Sequence, residues 1–373
     1  MEGWKVGTIK SVASIGSGRD YKHLKEGNVP VFGTGGYMTS VNDFLYDGET
    51  VCIGRKGTID TPQYHLGKIW TVDTLFYTHS FENIPPKLLY YIFQSINWKK
   101  YNEATGVPSL SKKTIEQINI SFPESEIEQY KIINILDKID QSIEQTEQLI
   151  AKYKNIKLGL MYDLLTYGID ENGTIRNPET HSFVEKKGLL VPKEWDVEEI
   201  GSGIVKITTG SANTQDKVDD GVYPLFVRST TIERSSKYIF DGEAVLTSGD
   251  GVGVGKIYHY FNGKFNYHQR VYCIYDFEKD RLFGKYFFEY FKSNFYAEIS
   301  RQSAKTTVDS VRLAMITKML IKLPLFNEQQ KIVSIINQQE NLIESEQTNL
   351  AKLQKLKQGL MSDLLTGKIR VKI

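Results

Sequence analysis

The sequence predicts an α+β protein in which two similar mixed α/β domains are separated by two long antiparallel helices. Two observations lead to this prediction: a block with helical periodicity occurs twice, and a strand-rich stretch precedes each copy. The chain of 373 residues is long enough for two domains of about 150 residues. The predicted segments are a first domain at 1–122, a helix and connector at 123–182, a second domain at 183–325 and a second helix at 326–373.

The repeated block covers residues 128–166 and 328–366, which align without a gap. Seventeen of the 39 aligned positions are identical, and both copies end in Gly-Leu-Met-x-Asp-Leu-Leu-Thr. Weaker matches precede each block, since Asp47-Gly48-Glu49 and Asp241-Gly242-Glu243 differ in position by 194. Chance does not produce this pattern, so the two domains are expected to share a scaffold and to differ in detail.

Each repeated block is predicted to form one long helix. A mostly apolar stripe recurs at steps of three and four from Ile132 to Leu160, with Ser142 and Thr146 among its positions. This is the heptad spacing of a coiled coil. A helix of about 40 residues spans about 60 Å and must bury its apolar stripe on an equally long partner. The domain between the copies returns the chain, which favours an antiparallel coiled coil with pseudo-twofold symmetry. Gly159 and Gly359 lie inside the pattern and indicate either close helix contact or the start of unwinding.

The segments outside the helices alternate between strand-like and helical patterns. Short β-branched and aromatic runs predict strands at 50–53, 75–78, 244–246 and 271–275, and the runs at 88–96 and 283–291 are helical and aromatic-rich. The stretch 167–195 is polar and turn-rich and is interpreted as a connector. His259 and His268 flank Phe261-Asn262-Gly263, where a hairpin turn explains the histidines better than a metal site does.

The charge balance excludes a chain that binds nucleic acid through net positive charge alone. The 46 basic and 45 acidic residues give a net charge of +1. Residues 1–122 carry 13 basic and 11 acidic side chains, net +2, and residues 177–325 carry 20 and 19, net +1. Cys52 and Cys273 lie in apolar stretches, which fits a reducing compartment. Because the sequence has no signal-peptide pattern and no long apolar run, a cytoplasmic protein is expected.

Catalytic motifs were sought without success, which predicts a non-catalytic chain that needs no cofactor or metal of its own. The glycine-rich stretch 249–255 does not have the dinucleotide-binding spacing. The six histidines lack metal-ligand spacing. Glu185-Lys186-Lys187 resembles a nuclease motif but lacks a convincing upstream aspartate, so a solvated charge cluster is favoured.

Several segments resemble the specificity subunits of type I restriction–modification enzymes. They are Pro108-Ser109-Leu110 followed by 118–123 and Glu128-Gln129; Leu164-Leu165-Thr166 leading to Gly168, Gly173 and Arg176; and the segment 188–195. The resemblance covers the whole chain, and the duplicated order makes it specific although no single motif is decisive.

The resemblance implies two target-recognition domains, each of which reads half of a bipartite, asymmetric double-stranded DNA site. It implies that the long helices dock two methyltransferase subunits and that motor and nuclease restriction subunits join the complex. S-adenosylmethionine, ATP and Mg would belong to those partner subunits. The helix residues expected to bind partners are Ile132, Ile139, Tyr153, Leu160, Ile332, Leu342, Leu353 and Leu360.

Candidate DNA-reading residues come from the comparison of the two halves, because positions that read different half-sites should differ. Four pairs of loops differ: 33–37 with 227–231, 54–58 with 248–252, 70–74 with 266–270, and 105–108 with 305–308. Arginine suits guanine, Asn and Gln suit adenine, and lysine suits phosphate. The candidates are Thr34, Tyr37, Arg55, Lys56, Thr58, Thr71, Arg228, Ser229, Thr230, Asn266, His268, Gln269, Arg270 and Lys305.

Other interpretations remain open from the sequence. One is a coiled-coil scaffold that binds proteins without reading DNA, for which a change such as Arg228→Ala would leave function intact. Another is the specificity component of a related enzyme outside type I. A third is an enzyme with an unrecognised site. The nearly neutral domains also predict that the isolated chain binds DNA weakly, with partner subunits supplying much of the phosphate contact.

Overall fold

A computed structural model describes residues 3–251, 253–302 and 310–372. The chain forms two compact units, which are Met1–Ile150 with Glu346–Ile373, and Ala151–Ser345. Each unit therefore contains one mixed α/β domain and one end of each long helix. The division falls within the helices, whereas the sequence prediction placed its boundaries at their starts.

In its described residues the first unit has eight strands and two short α-helices in addition to the long-helix segments. Its elements are β1 (Trp4–Thr8), β2 (Ser14–Ser17), β3 (Glu26–Gly33), β4 (Gly36–Val41), β5 (Tyr46–Gly54), β6 (Gln63–Thr71), β7 (Leu75–His79), α1 (Pro86–Ser95), α2 (Lys112–Glu116) and β8 (Asn119–Pro123). The long helix α3 (Glu126–Thr166) begins in this unit.

The second unit repeats this order after two additional strands. Its elements are β9 (Phe183–Lys186), β10 (Leu189–Pro192), β11 (Asp196–Glu199), β12 (Lys206–Thr209), β13 (Tyr223–Phe226), β14 (Glu233–Ser235), β15 (Phe240–Ser248), β16 (Tyr258–Tyr267), β17 (Val271–Tyr275), α4 (Gly284–Gln302), α5 (Leu313–Thr317), β18 (Leu320–Leu323) and the long helix α6 (Phe326–Leu364).

The main sheets of the two units have the same strand order and register. The first has the order β2-β7-β5-β6-β3-β4 and the second β12-β17-β15-β16-β13-β14. One parallel pairing occurs in each sheet, with Val31 opposite Trp70 in the first and Leu225 opposite Asn266 in the second. The smaller pairs β1-β8 and β11-β18 also correspond. The shared scaffold predicted from the weak repeat is confirmed.

Apolar side chains from both long helices complete the core of each unit. In the first unit Leu364 and Leu365 of the α6 end are buried with Ile132 and Leu136 of α3. In the second unit Leu164 and Leu165 are buried with residues of the α6 start. The core of each unit therefore depends on side chains from both long helices.

The helix segments run antiparallel within each unit, as the sequence predicts. In the first unit Asp140 pairs with Lys357, and Glu128, earlier in α3, pairs with Arg370, later in the chain. In the second unit Lys157 pairs with Glu340, and the Ile169 N–H, which follows α3, donates to Glu328, earlier in α6, at 2.9 Å.

Three local features differ from the sequence prediction. The turn expected at 261–263 is wrong, because β16 continues through these residues and Gly263 lies opposite Gly242 of β15. Both glycines have positive φ, so the pattern that suggested a turn instead marks a pair of glycines inside the sheet. The second aromatic-rich helix extends to Gln302, well beyond the predicted end. The connector contains the hairpin β9-β10.

Candidate DNA interface

The predicted loops of the first unit meet at one rim of its main sheet. The Arg55 N–H donates to the Thr74 carbonyl at 2.8 Å, and the Gly57 N–H donates to the Pro108 carbonyl at 2.8 Å. The turn at Thr34 joins β3 to β4 on the same rim, where the Gln63 side chain donates to the Gly33 carbonyl at 2.9 Å. Four loops that are distant in the sequence thus form one surface.

This surface presents basic and aromatic side chains around a cleft of about 460 Å³. Arg55, Lys56 and Thr58 are exposed, and the Arg55 guanidinium lies 6.0 Å from the centre of the Phe76 ring. Tyr37 is also exposed, with its hydroxyl 3.1 Å from that of Ser40. The cleft, named here the first rim cleft, is lined in part by Ser17, Arg55, Lys56, Phe76, Ser109 and Lys112.

The second unit repeats the backbone contacts of this rim. The Gly249 N–H donates to the Arg270 carbonyl at 2.7 Å, and the Val311 N–H donates to the Gly249 carbonyl at 2.8 Å. The corresponding bond in the first unit joins the Leu110 N–H to the Arg55 carbonyl at 2.9 Å. The loops at 54–58 and 248–252, and those at 70–74 and 266–270, are therefore structural counterparts.

The second rim carries different side chains on this common backbone. Arg228 Nη1 donates to Asp250 Oδ1 at 2.8 Å, and Arg270 Nε lies 3.6 Å from Asp250 Oδ2. Gln269 is exposed and donates to the Asn213 side chain at 2.7 Å. The second rim cleft, of about 320 Å³, is lined in part by Thr209, Asp250, Arg270, Tyr272, Ser310 and Arg312.

Burial removes three of the predicted reading residues from the accessible surface. Thr71 is fully buried in β6, and Asn266 is buried in β16, where its side-chain amide donates to Ser235 Oγ at 3.1 Å. His268 is buried beneath the arginines, and its Nδ1 accepts from the Arg270 N–H at 3.0 Å. These three side chains therefore lie beneath the exposed surface of the rim.

Burial also lowers the pKa of His268, and the positive charges of Arg228 and Arg270 lower it further, whereas the Asp250 carboxylate raises it. The lowered pKa favours the neutral ring at physiological pH, which agrees with an Nδ1 that accepts a hydrogen bond. His268 thus acts as a neutral support beneath two cationic side chains.

The remaining candidates have mixed accessibility. Thr230 is exposed, whereas Thr34 and Ser229 are half-buried. Ser229 Oγ donates to the Thr231 carbonyl at 3.2 Å, which fixes the loop. Lys305, with the whole of the loop 305–308, lies outside the described residues.

The sequence comparison missed three charged residues at the rims. Asp250 holds two candidate readers, while Lys112 and Arg312 line the clefts of the first and second units. The signal that could have found them is the pair Ser109 and Ser310. Lys56 forms an isolated β-bridge with Ser109, and Asp250 forms one with Ser310. The segments after these serines therefore correspond, with Ser111 and Arg312 each preceding a short helix.

Most of the predicted partner-binding residues face the interior of the units. Ile132, Ile139 and Ile332 are buried, whereas Leu342 is exposed. Tyr153, Leu160, Leu353 and Leu360 are half-buried. Other apolar side chains on the long helices are exposed, namely Ile127, Tyr130, Ile156, Leu158, Tyr162 and Leu356.

The described ranges show neither a membrane-spanning helix nor a cluster of metal ligands. Within residues 3–251, 253–302 and 310–372, no helix is both long and apolar enough to cross a membrane. The same part of the chain has no group of three or more His, Cys, Asp or Glu side chains that could hold a metal ion. Cys52 and Cys273 are buried free thiols.

Comparison with known proteins gives consistent relatives. The chain is 26% identical over 367 residues to the type I restriction enzyme MjaVIII specificity subunit of Methanocaldococcus jannaschii, covering 90% of this chain and 81% of the relative. Its fold resembles the crystal structure of a type I restriction–modification S subunit from M. genitalium, with a TM-score of 0.67 and 14% identity over 97% of this chain and 96% of the other.

A second solved structure is similar, with a TM-score of 0.61 and 14% identity over 98% of both chains. It comes from work described as the structural basis of complex assembly and conformational transition of the type I R-M system. The family model for the type I restriction modification DNA specificity domain matches residues 1–155 and 192–355. With both halves of the chain matched, the protein belongs to the type I restriction modification DNA specificity domain family.

Proposed function

We propose that each unit reads one half of a bipartite, asymmetric DNA site and that the chain itself catalyses no reaction. The observation that carries this proposal is that two sheets of identical strand order present different polar loops on equivalent rims. A protein that reads two different half-sites needs a common scaffold and variable contact residues. A scaffold without DNA readout gives no reason for this difference to fall at the rims.

The side chains at the rims suit contact with double-stranded DNA. Exposed arginines can make paired hydrogen bonds to guanine in the major groove, and lysines can contact phosphates. Arg55, Lys56, Arg228 and Arg270 are the exposed basic candidates, and Gln269 can recognise adenine. Tyr37, Thr58 and Thr230 add exposed contact area.

The proposed protein partners are two DNA methyltransferase subunits, together with motor and nuclease restriction subunits. Exposed apolar side chains on the long helices, such as Leu158, Tyr162 and Leu356, support docking of other chains. S-adenosylmethionine, ATP and Mg would be bound by those partners, and the assembly would act in the cytoplasm. The buried free thiols are compatible with a reducing compartment.

The test is to sequence modified bases across the genome of the encoding cell, with and without this gene. We expect one bipartite adenine-methylated motif to disappear on deletion. Exchange of the 1–122 segment for that of a relative should then change one half-site only. An unchanged methylation pattern, together with no co-purification of a methyltransferase under forced expression, would favour the scaffold interpretation.

Partner docking is tested separately by Leu158→Glu and Tyr162→Glu. Both side chains are exposed, so the fold should persist while recovery of the methyltransferase with the tagged chain falls severalfold. Val222→Glu serves as the matched control, because Val222 is an exposed apolar residue of the second unit outside the long helices. Equal recovery with all three variants would contradict docking at this helix surface.

A further inference from the structure

The two rim clefts have equivalent backbones but opposite charge at one position. Lys56 in the first unit and Asp250 in the second form the equivalent β-bridges to Ser109 and Ser310. The adjacent backbone hydrogen bonds also correspond, at 2.9 and 2.8 Å. A cation has therefore been exchanged for a carboxylate at a fixed place in the scaffold.

The Asp250 carboxylate contacts two arginines from different loops. Its Oδ1 accepts from Arg228, which follows β13, and its Oδ2 faces Arg270, which precedes β17. One carboxylate thus brings two guanidinium groups together beside the second rim cleft, which Asp250 and Arg270 line. In the first unit the positions aligned with Arg228 and Arg270 are Thr34 and Thr74.

These contacts leave the arginines able to bind a base. A guanidinium has five N–H donors, and each arginine directs one side of its fork to Asp250. The side chains of Arg228 and Arg270 are 43% and 64% exposed, so the remaining donors can reach a ligand. An exposed ion pair of this kind contributes little to folding, which makes a purely structural role for Asp250 a weak explanation.

We propose that Asp250 is a positioning residue that aligns Arg228 and Arg270 to recognise guanine in the half-site bound by the second unit. This inference rests on the proposed function. The exchange of Lys56 for Asp250 then contributes to the difference between the two half-sites, because the first unit lacks both the carboxylate and the two arginines that it holds.

The test replaces the gene in the encoding cell with Asp250→Asn and sequences modified bases. Asparagine keeps the shape and removes the charge. Selectivity is the ratio of methylation at sites with the cognate second half to methylation at sites in which one guanine–cytosine pair of that half is substituted. We expect this ratio to fall about tenfold. Selectivity in the first half should be unchanged. Asp276→Asn is the matched control, since Asp276 pairs with Lys206 elsewhere in the same unit.

A double variant, Arg228→Lys with Arg270→Lys, tests the same claim without altering Asp250. It retains both charges but loses the planar forks, so it should relax the same base pair as Asp250→Asn. Combining all three changes should add little further effect. The double variant therefore tests the proposal even if the Asp250→Asn variant does not accumulate as folded protein.

The outcomes distinguish a failure of this inference from a failure of the proposed function. If the unaltered gene directs no bipartite methylation, the proposed function itself fails. If that methylation is present and both variants retain full selectivity in the second half, the positioning role is overturned. It is also overturned if Asp250→Asn relaxes a base pair that the lysine variant leaves intact, since Asp250 would then contact a base directly.

Discussion

A buried glutamate at the start of each long helix is held by an arginine that follows the other long helix. Glu328 accepts from Arg176 Nη1 at 2.5 Å, from Trp195 Nε1 at 3.1 Å and from the Ile169 N–H at 2.9 Å. In the first unit Arg370 donates to both oxygens of Glu128 at 2.6 and 2.7 Å. The repeated Glu128 and Glu328 are thus explained by a structural role within each unit.

Arg176→Ala should lower the free energy of unfolding by about 3 kcal/mol, because removal of one partner leaves a buried carboxylate poorly compensated. Denaturant unfolding of the full chain measures the loss. Lys206→Ala removes an exposed partner of Asp276 and should leave the transition midpoint near that of the unaltered chain. Equal midpoints for the two variants would refute the role given to the buried pair.

A second residue-scale prediction concerns pH. Burial lowers the pKa of His65 to about 4 from an ordinary value of 6.5, and the ring stacks on Phe32 at 3.8 Å between centroids. Between these two values the unfolded state binds more protons, so this group makes stability fall as the pH falls from 6.5 to 4.

His65→Gln should therefore flatten the dependence of the unfolding midpoint on pH within that window, whatever its effect at neutral pH. The measurement is thermal unfolding of both chains at a series of pH values. Parallel curves for the two chains would show that His65 does not cause the slope. The difference between the curves isolates this residue from other groups that titrate in the same range.

The exposure of individual side chains was the residue property that was hardest to predict from the sequence. Arg55, Arg228 and Arg270 were found because loops that differ between halves are visible in a self-comparison. Thr71 and Asn266 lie in the same aligned stretches, but β6 and β16 extend through them. The pairing register, rather than residue type, decides which of these side chains are exposed.

At the scale of elements, the long helices were the most predictable part of the fold. The alignment of their 39 residues contains 17 identities. A helical pattern of apolar residues over this length is compatible with few structures other than a long helix. The turn predicted at 261–263 failed because a glycine opposite another glycine in a sheet has the same local sequence as a turn. The distinction depends on Gly242, which is distant in the sequence.

The helix glycines lead to a prediction at this scale. A Cβ built at Gly159 or Gly359 would meet nothing within 4 Å, and both helices continue beyond these positions. Neither close contact within the chain nor unwinding explains the glycines. Gly159→Ala and Gly359→Ala should therefore each raise the free energy of unfolding by about 0.5–1 kcal/mol.

Denaturant unfolding of the two variants checks the gain. Gly54→Ala provides the contrast, because its Cβ would lie 2.0 Å from the Thr58 carbonyl oxygen and should destabilise the chain. Loss of stability at both helix positions would contradict the open space around them. A stabilised variant that no longer retains the methyltransferase would instead indicate that a partner packs against the glycine.

At the scale of the whole molecule, the near-neutral charge leads to a prediction about the strength of DNA binding. The net charge of +1 leaves few cations to displace counterions from the phosphates. We expect the isolated chain to bind DNA weakly, with a shallow dependence of log affinity on log salt concentration. The complex with methyltransferase subunits should bind more tightly and show a steeper slope.

Fluorescence anisotropy on a duplex containing the methylated motif, at several salt concentrations, measures both quantities. A duplex with one half-site scrambled is the control for specificity. Tight and specific binding by the isolated chain at physiological salt would overturn the expectation. In that case the exposed arginines and lysines of the rims would provide most of the phosphate contacts.

Each unit buries apolar residues from the end of a long helix that begins in the other unit, such as Leu164 and Leu165 in the second. A gene fission within the connector would therefore separate each domain from part of its own core. The first half-length product could recover that core by borrowing the equivalent helix end from a second copy. If each unit reads one half-site as proposed, fission would thus yield a homodimer that recognises a single half-site twice, and an asymmetric target would become a symmetric one.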